Sequence, residues 1–174
     1  GRCCLEILTL DANHIHDEGA QHLARGLLQN NTLEKLTLSA NEIRADGVRI
    51  FADTLEMNNQ LKELSFARNP LGPLGAQQMG RAISSNRSLT SVNLSYCNVV
   101  ERQVYIGLHT IIEATRANGK IAVLDLSFNN IPEDTMVEIA LAMRDNSFLT
   151  ELKLDGNPIS TKWLRPGFLQ LRSI

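Results

Sequence analysis

The sequence predicts an α/β solenoid in which six short parallel strands line the inside of a curve and helices cover its outside. Three observations carry this expectation. One pattern of apolar residues recurs six times at a nearly constant period. The centre of each copy alternates apolar with polar residues, as a strand with one buried face does. After each copy, apolar residues return at a spacing near 3.6, the mark of an amphipathic helix.

The first copy is Leu5, Leu8, Leu10, Asn13, Ile15, and the second is Leu33, Leu36, Leu38, Asn41, Ile43. Next come Leu61, Leu64, Phe66, Asn69, Leu71, then Leu89, Val92, Leu94, Cys97, Val99. The last two are Ile121, Leu124, Leu126, Asn129, Ile131 and Leu149, Leu152, Leu154, Asn157, Ile159. The copies start at 5, 33, 61, 89, 121 and 149, so the steps are 28, 28, 28, 32 and 28 residues. Six strands are expected, beginning near Ile7, Lys35, Glu63, Ser91, Val123 and Glu151. Helices follow through Ala20, Leu23, Leu27; Val48, Phe51, Leu55; Ala76, Met79, Ile83; Leu108, Ile111; and Met136, Ile139, Met143. Helices are wider than the roughly 4.8 Å strand spacing, so stacking such units bends the array.

Further columns mark the helix ends. Asn30, Asn58, Asn86, Asn118 and Asn146 are expected to end helices in the left-handed conformation, which asparagine tolerates. Gly19, Gly47, Gly75 and Gly107 stand at the helix starts, where a missing side chain permits a tight turn or close packing; Thr135 breaks the column. Ala24, Ala52, Gly80 and Ala140 make a small-residue stripe for helix approach, interrupted by Ile112.

The pattern L-x-x-L-x-L-x-x-N/C-x-L at a 28-residue period resembles the ribonuclease-inhibitor-like class of leucine-rich repeats, over nearly the whole chain. The resemblance implies a horseshoe segment with structural asparagines at the ninth position, and a protein-binding role. Inhibitors, innate immune sensors, actin regulators, ciliary proteins and the Ran GTPase activator share this class. Residues 1–174 then form one domain, expected to be an excerpt of a longer protein because the first repeat has no polar cap. The pattern decays at Trp163, Pro166 and the run from Phe168 to Ile174.

Composition narrows the function. With 43% hydrophobic residues the 174-residue chain can bury a continuous core. Seventeen basic against 19 acidic residues leave a net charge of −2, which offers no field to draw nucleic acid or an anionic membrane. No window approaches the roughly 20 apolar residues of a membrane span. Three cysteines, an odd number, suit the reducing cytoplasm. The N-x-S/T triplets at Asn30, Asn86 and Asn93 are short enough to arise by chance.

No enzyme, cofactor, metal or small-molecule substrate is expected. Cys3, Cys4, His14 and His16 lack zinc-site spacing, and no phosphate-binding loop is present. The remaining surface is the concave face and its rim. The fifth column of the repeat, including Asn93 and Asp125, faces solvent and is polar. The eighth column reads Ala12, Ala40, Arg68, Tyr96, Phe128, Gly156, and its Arg and Tyr are residue types enriched in binding hot spots. Four residues are added to the strand-to-helix loop of the fourth repeat, which holds Tyr105. The expected partner-binding residues are therefore Arg68, Tyr96, Tyr105, Phe128, Asn93 and Asp125, meeting an unidentified protein partner on one rim. The alternative is a GTPase activator of the Ran type, because Phe66 to Pro70 resembles that family's G-R-N-R segment in the pair Arg68, Asn69.

Overall fold

A computed structural model describes residues 4–160. Cys3 and the expected decay from Trp163 onward lie outside the described residues. The element order is β1 (Ile7–Thr9), α1 (His16–Leu27), β2 (Lys35–Thr37), α2 (Ala45–Met57), β3 (Glu63–Ser65), α3 (Gly72–Ser85), β4 (Ser91–Asn93), α4 (Ile106–Ala117) and β5 (Val123–Asp125). A 3-10 turn (Glu133–Thr135), α5 (Met136–Asp145) and β6 (Glu151–Lys153) follow. The six strands form one sheet in chain order, all neighbours parallel. Register is in step with the repeat: Leu8, Leu36, Leu64, Val92, Leu124 and Leu152 stand side by side.

These inward residues and the apolar stripes of the helices make one core. Leu36, Leu38, Leu64, Phe66, Val92, Leu94, Leu124 and Leu126 are buried, and Phe51 of α2 meets Phe66 edge to face at 5.1 Å. The first repeat is covered on one side only. Leu5 is exposed, and Leu8 and Leu10 are half-buried. The glycines at the helix starts serve close approach: a Cβ on Gly107 would come within 2.5 Å of Pro73 O and 2.6 Å of Ala76 Cβ, both on α3. Where Thr135 replaces that glycine, a 3-10 turn precedes the helix and the Thr135 hydroxyl donates to Pro132 O at 2.8 Å. Helix α2 gets its cap from the preceding repeat, with Asp17 Oδ1 accepting from the N–H groups of Arg44 and Gly47 at 2.6 and 3.0 Å.

The asparagines expected in the left-handed conformation are instead extended. Asn58, Asn86, Asn118 and Asn146 have φ of −80, −67, −80 and −103°. From that backbone the side chain reaches a neighbouring repeat: Asn86 Nδ2 donates to Leu55 O and Asn58 O at 2.7 and 2.9 Å, while its Oδ1 accepts from Ser88 and Leu89 N–H. One amide thus satisfies two carbonyls left over at the previous helix end and two loop donors, four groups that a left-handed cap would leave open. The arrangement repeats as Asn58 to Leu27, Asn118 to Ile83 and Asn146 to Thr115.

A second ladder runs under the strand-to-helix loops. Asn41, Asn69, Asn129 and Asn157 each donate back one repeat, to Leu10, Leu38, Leu94 and Leu126 O. Their Oδ1 atoms accept from the previous loop: Ile43 N–H reaches Asn69, Val99 N–H reaches Asn129 and Ile131 N–H reaches Asn157, at 3.0 to 3.1 Å. Cys97 keeps the donor half through its thiol, 3.2 Å from Phe66 O, but has no oxygen to offer Leu71.

Candidate functional site

The eighth position of every repeat is left-handed, and the tenth is too at Glu42, Asn98 and Asn130. Ala12, Ala40, Arg68, Tyr96 and Phe128 all have φ of 55 to 57°, and Gly156 has 66°. For L-residues this conformation costs about 1–2 kcal/mol, and bulky side chains rarely adopt it. Two aromatic residues are nonetheless held there, on adjacent repeats. Their rings stack with centroids 4.3 Å apart and planes 10° from parallel. The Arg68 guanidinium lies 4.7 Å from the Tyr96 ring centroid, and the Phe128 ring occupies the space that a Cβ on Gly156 would need. Four successive repeats thereby build one continuous layer: cation, phenol, phenyl, glycine.

The layer is open to solvent. Tyr96 and Phe128 keep 41% and 43% of their surface exposed. The stack holds the rings in place and leaves one side of it free, so packing on each other and presenting a surface are compatible.

The other expected residues are placed differently. Asn93 and Asp125 are half-buried on β4 and β5, side by side in the sheet register. Each is engaged locally: Asn93 Oδ1 accepts from the Ser95 N–H and hydroxyl at 2.9 and 2.8 Å, and Asp125 Oδ1 from Ser127 N–H at 2.9 Å. These bonds brace the turn that carries Tyr96 and Phe128. Tyr105 sits at the start of α4, half-buried against the core, with its ring edge on His109 at 6.2 Å. It makes no ring contact with the stack among the described residues, so the added loop and the aromatic layer are separate features. That loop is an ordered turn: Glu101 and Val104 pair antiparallel around Arg102 and Gln103, both left-handed, as in a type I′ turn.

The polar concave face pairs its charges internally. Lys35 meets Glu63 at 2.7 Å and Lys153 meets Glu151 at 3.5 Å, exposed pairs that leave Asp11, Asp125 and Asp155 as a small acidic excess in its columns. The Cys97 thiol is buried, and burial pushes its pKa up to about 12, which removes it as a nucleophile or ligand. His14 and His16 are brought beside Glu42, a residue one repeat further on. No sequence spacing pairs those three, although His14 and Glu42 share the tenth column of the repeat.

A family model described as a leucine-rich repeat matches residues 2–24, 29–52 and 85–100, within repeats whose strands, helices and asparagine ladders are described above. The chain is built as a leucine-rich-repeat solenoid. Its solenoid resembles the structure of leiomodin-1 actin-binding site 2, with a TM-score of 0.67, 19% identity, and coverage of 90% of this chain and 87% of that one. It also resembles the tropomodulin C-terminal domain of Caenorhabditis elegans, with a TM-score of 0.61, 16% identity, and coverage of 81% and 83%. These likenesses are of fold. A sequence comparison with curated proteins finds no significant match. No helix among the described residues of this leucine-rich-repeat solenoid is long and apolar enough to cross a membrane.

Proposed function

We propose that the chain is a protein-interaction scaffold that docks a protein partner on its strand-to-helix rim, with Arg68, Tyr96 and Phe128 as the anchor. One observation carries the reading. Two aromatic residues occupy a left-handed backbone position where glycine or alanine would cost less, and both remain about two-fifths exposed. A partner laid over the layer gains apolar contact from the rings and charge-assisted hydrogen bonds from Arg68. Asn93 and Asp125 act beneath as positioning residues for the turn, and Tyr105 contributes from the start of α4.

The odd cysteine count supports a cytoplasmic setting, and the 28-residue period with outer helices supports the ribonuclease-inhibitor-like subtype. The solenoid's likeness to an actin-binding site of leiomodin-1 makes actin the first partner to test. No observation favours a Ran-type GTPase activator: Arg68 lies on Tyr96, and Asn69 is engaged with Leu38, Phe66 and Ala67 carbonyls as a repeat asparagine.

The test is site-specific photocrosslinking. A benzophenone side chain at Tyr96 should capture the partner, whereas one at the exposed helix residue Asp53 should not. In the folded Tyr96→Ala, Tyr105→Ala double variant, affinity should fall by more than about 1 kcal/mol for each ring removed. Unchanged affinity in that variant sinks the rim as the docking surface.

A further inference from the structure

His14, His16 and Glu42 bring one donor atom each within 4.8 Å of one another. His14 stands in the loop between β1 and α1, His16 opens α1, and Glu42 stands in the equivalent loop between β2 and α2. The two imidazoles stack with centroids 6.0 Å apart and planes 22° from parallel. Each faces a different oxygen of the same carboxylate: His14 Nδ1 lies 3.3 Å from Oε1, and His16 Nδ1 lies 3.6 Å from Oε2.

Those separations are long for charge-assisted hydrogen bonds, which settle at about 2.7–2.9 Å. The same protein shows the short form elsewhere, where His109 Nδ1 meets Glu138 at 2.7 Å. Two ligands held about 2.1 Å from a tetrahedral zinc ion stand about 3.4 Å apart, close to the 3.3 Å between His14 Nδ1 and Glu42 Oε1, the one oxygen a single carboxylate ligand would use. Two imidazoles and one carboxylate are also a donor set that borderline divalent ions prefer over calcium or magnesium.

We propose that His14, His16 and Glu42 form a divalent transition-metal site of the zinc class that ties the strand-to-helix loop of the first repeat to that of the second. Three protein ligands fill three positions of a tetrahedron, and the exposed side chains leave the fourth to water. The place gives the site a purpose. The first repeat is the least covered, with Leu5 exposed and Leu8 and Leu10 half-buried, and a bond across the two loops holds it to its neighbour. Binding to the folded chain alone stabilises it by mass action.

The probe is zinc chloride, titrated calorimetrically into the full chain and into His14→Ala, Glu42→Gln and His22→Ala variants. His22 is the control, because it forms a separate exposed pair with Glu18 at 4.0 Å on α1. None of these side chains is buried, so none of the substitutions touches the core, and the unfolding transition of each variant checks its fold. The expected result is one zinc per chain for the parent and the His22 variant, with at least about tenfold weaker binding in His14→Ala and Glu42→Gln. Zinc should also raise the unfolding temperature of the parent and leave those two variants unmoved. Equal affinity in all four proteins, loss of binding in His22→Ala, or no uptake by the parent overturns the proposal. Partner binding at Tyr96 is read separately and is unaffected by either outcome.

Discussion

Pro70 turns the Leu71 N–H onto Asn69 O, at 2.8 Å, opposite Cys97, the one ninth-position residue that has no amide oxygen to receive it. In the second, fourth and fifth repeats the same donor crosses to the asparagine of the next repeat. Proline holds φ near −65°, close to the inverse γ-turn that closes this bond within one repeat. The sixth repeat behaves alike: Pro158 stands in the same column, and Ile159 N–H returns to Asn157 O at 2.7 Å. The two departures therefore compensate each other at the Leu71 N–H, while the Asn69 N–H is left to the Cys97 sulfur.

A double-mutant cycle tests that pairing. Pro70→Asn should destabilise the chain by freeing a donor with no acceptor, whereas the oxygen brought by Cys97→Asn receives only the Asn69 N–H while Pro70 keeps the Leu71 donor turned away. Together they restore the common arrangement, so the double variant should be more stable than the sum of the singles by at least about 0.5 kcal/mol in urea unfolding. Simple additivity would mean that the two residues are independent.

Position along the array should grade the cost of core truncation. Leu94 and Leu64 are buried between repeats on both sides, whereas Leu10 is half-buried. Replacing Leu94 or Leu64 with Ala should cost roughly 2–5 kcal/mol, and Leu10→Ala clearly less. Equal losses in chemical denaturation would contradict the open first repeat.

Stability and binding should separate at Tyr96. Glycine there removes stacking worth about 0.5–1.5 kcal/mol but also relieves a left-handed side chain worth about 1–2 kcal/mol. Tyr96→Gly should keep its stability within about 1 kcal/mol while partner affinity falls by more than about 1 kcal/mol. A loss of stability matching the loss of affinity would make the ring a packing residue alone.

The buried thiol should report on unfolding. Burial raises Cys97 from 9.0 to about 12, with the Asn69 backbone hydrogen bond opposing and the Asp125 charge adding. The folded chain keeps the proton that the unfolded chain sheds first. Its contribution is therefore complete below about pH 9 and is lost as pH climbs toward about 12. Alkylation at about pH 8 should leave Cys97 untouched until denaturant exposes it. Labelling of the native chain at the rate of a free thiol would refute the buried placement.

The strands were legible because a three-residue alternation repeated in step leaves one register only, and β1 to β6 begin at the expected residues. The helix-ending asparagines were misread for a physical reason. Asparagine's tolerance of the left-handed conformation is a local property, but Asn86 serves groups about 30 residues earlier, and that tertiary demand sets its backbone. The left-handed residues lie elsewhere, in the tenth column at Glu42, Asn98 and Asn130 and throughout the eighth, where Tyr96 and Phe128 defy propensity. The rim strip was legible as a column, and its stacking was not, since ring orientation depends on the space above Gly156. Glu42 escaped notice beside His14 and His16 because only the solenoid's register closes a gap of 28 residues.

The complementarity of Pro70 and Cys97 also fixes how such a chain can be cut and spliced. A repeat bounded on both sides by asparagines can be copied or excised as a 28-residue cassette, because the donor above still finds the oxygen below. Removing the third repeat alone would set Ile43 against Cys97 and strand its N–H; removing the fourth alone would set Pro70 against Asn129 and leave its oxygen one of its two donors, the Asn69 N–H. The third and fourth repeats are thus one indivisible module, transmitted together or not at all.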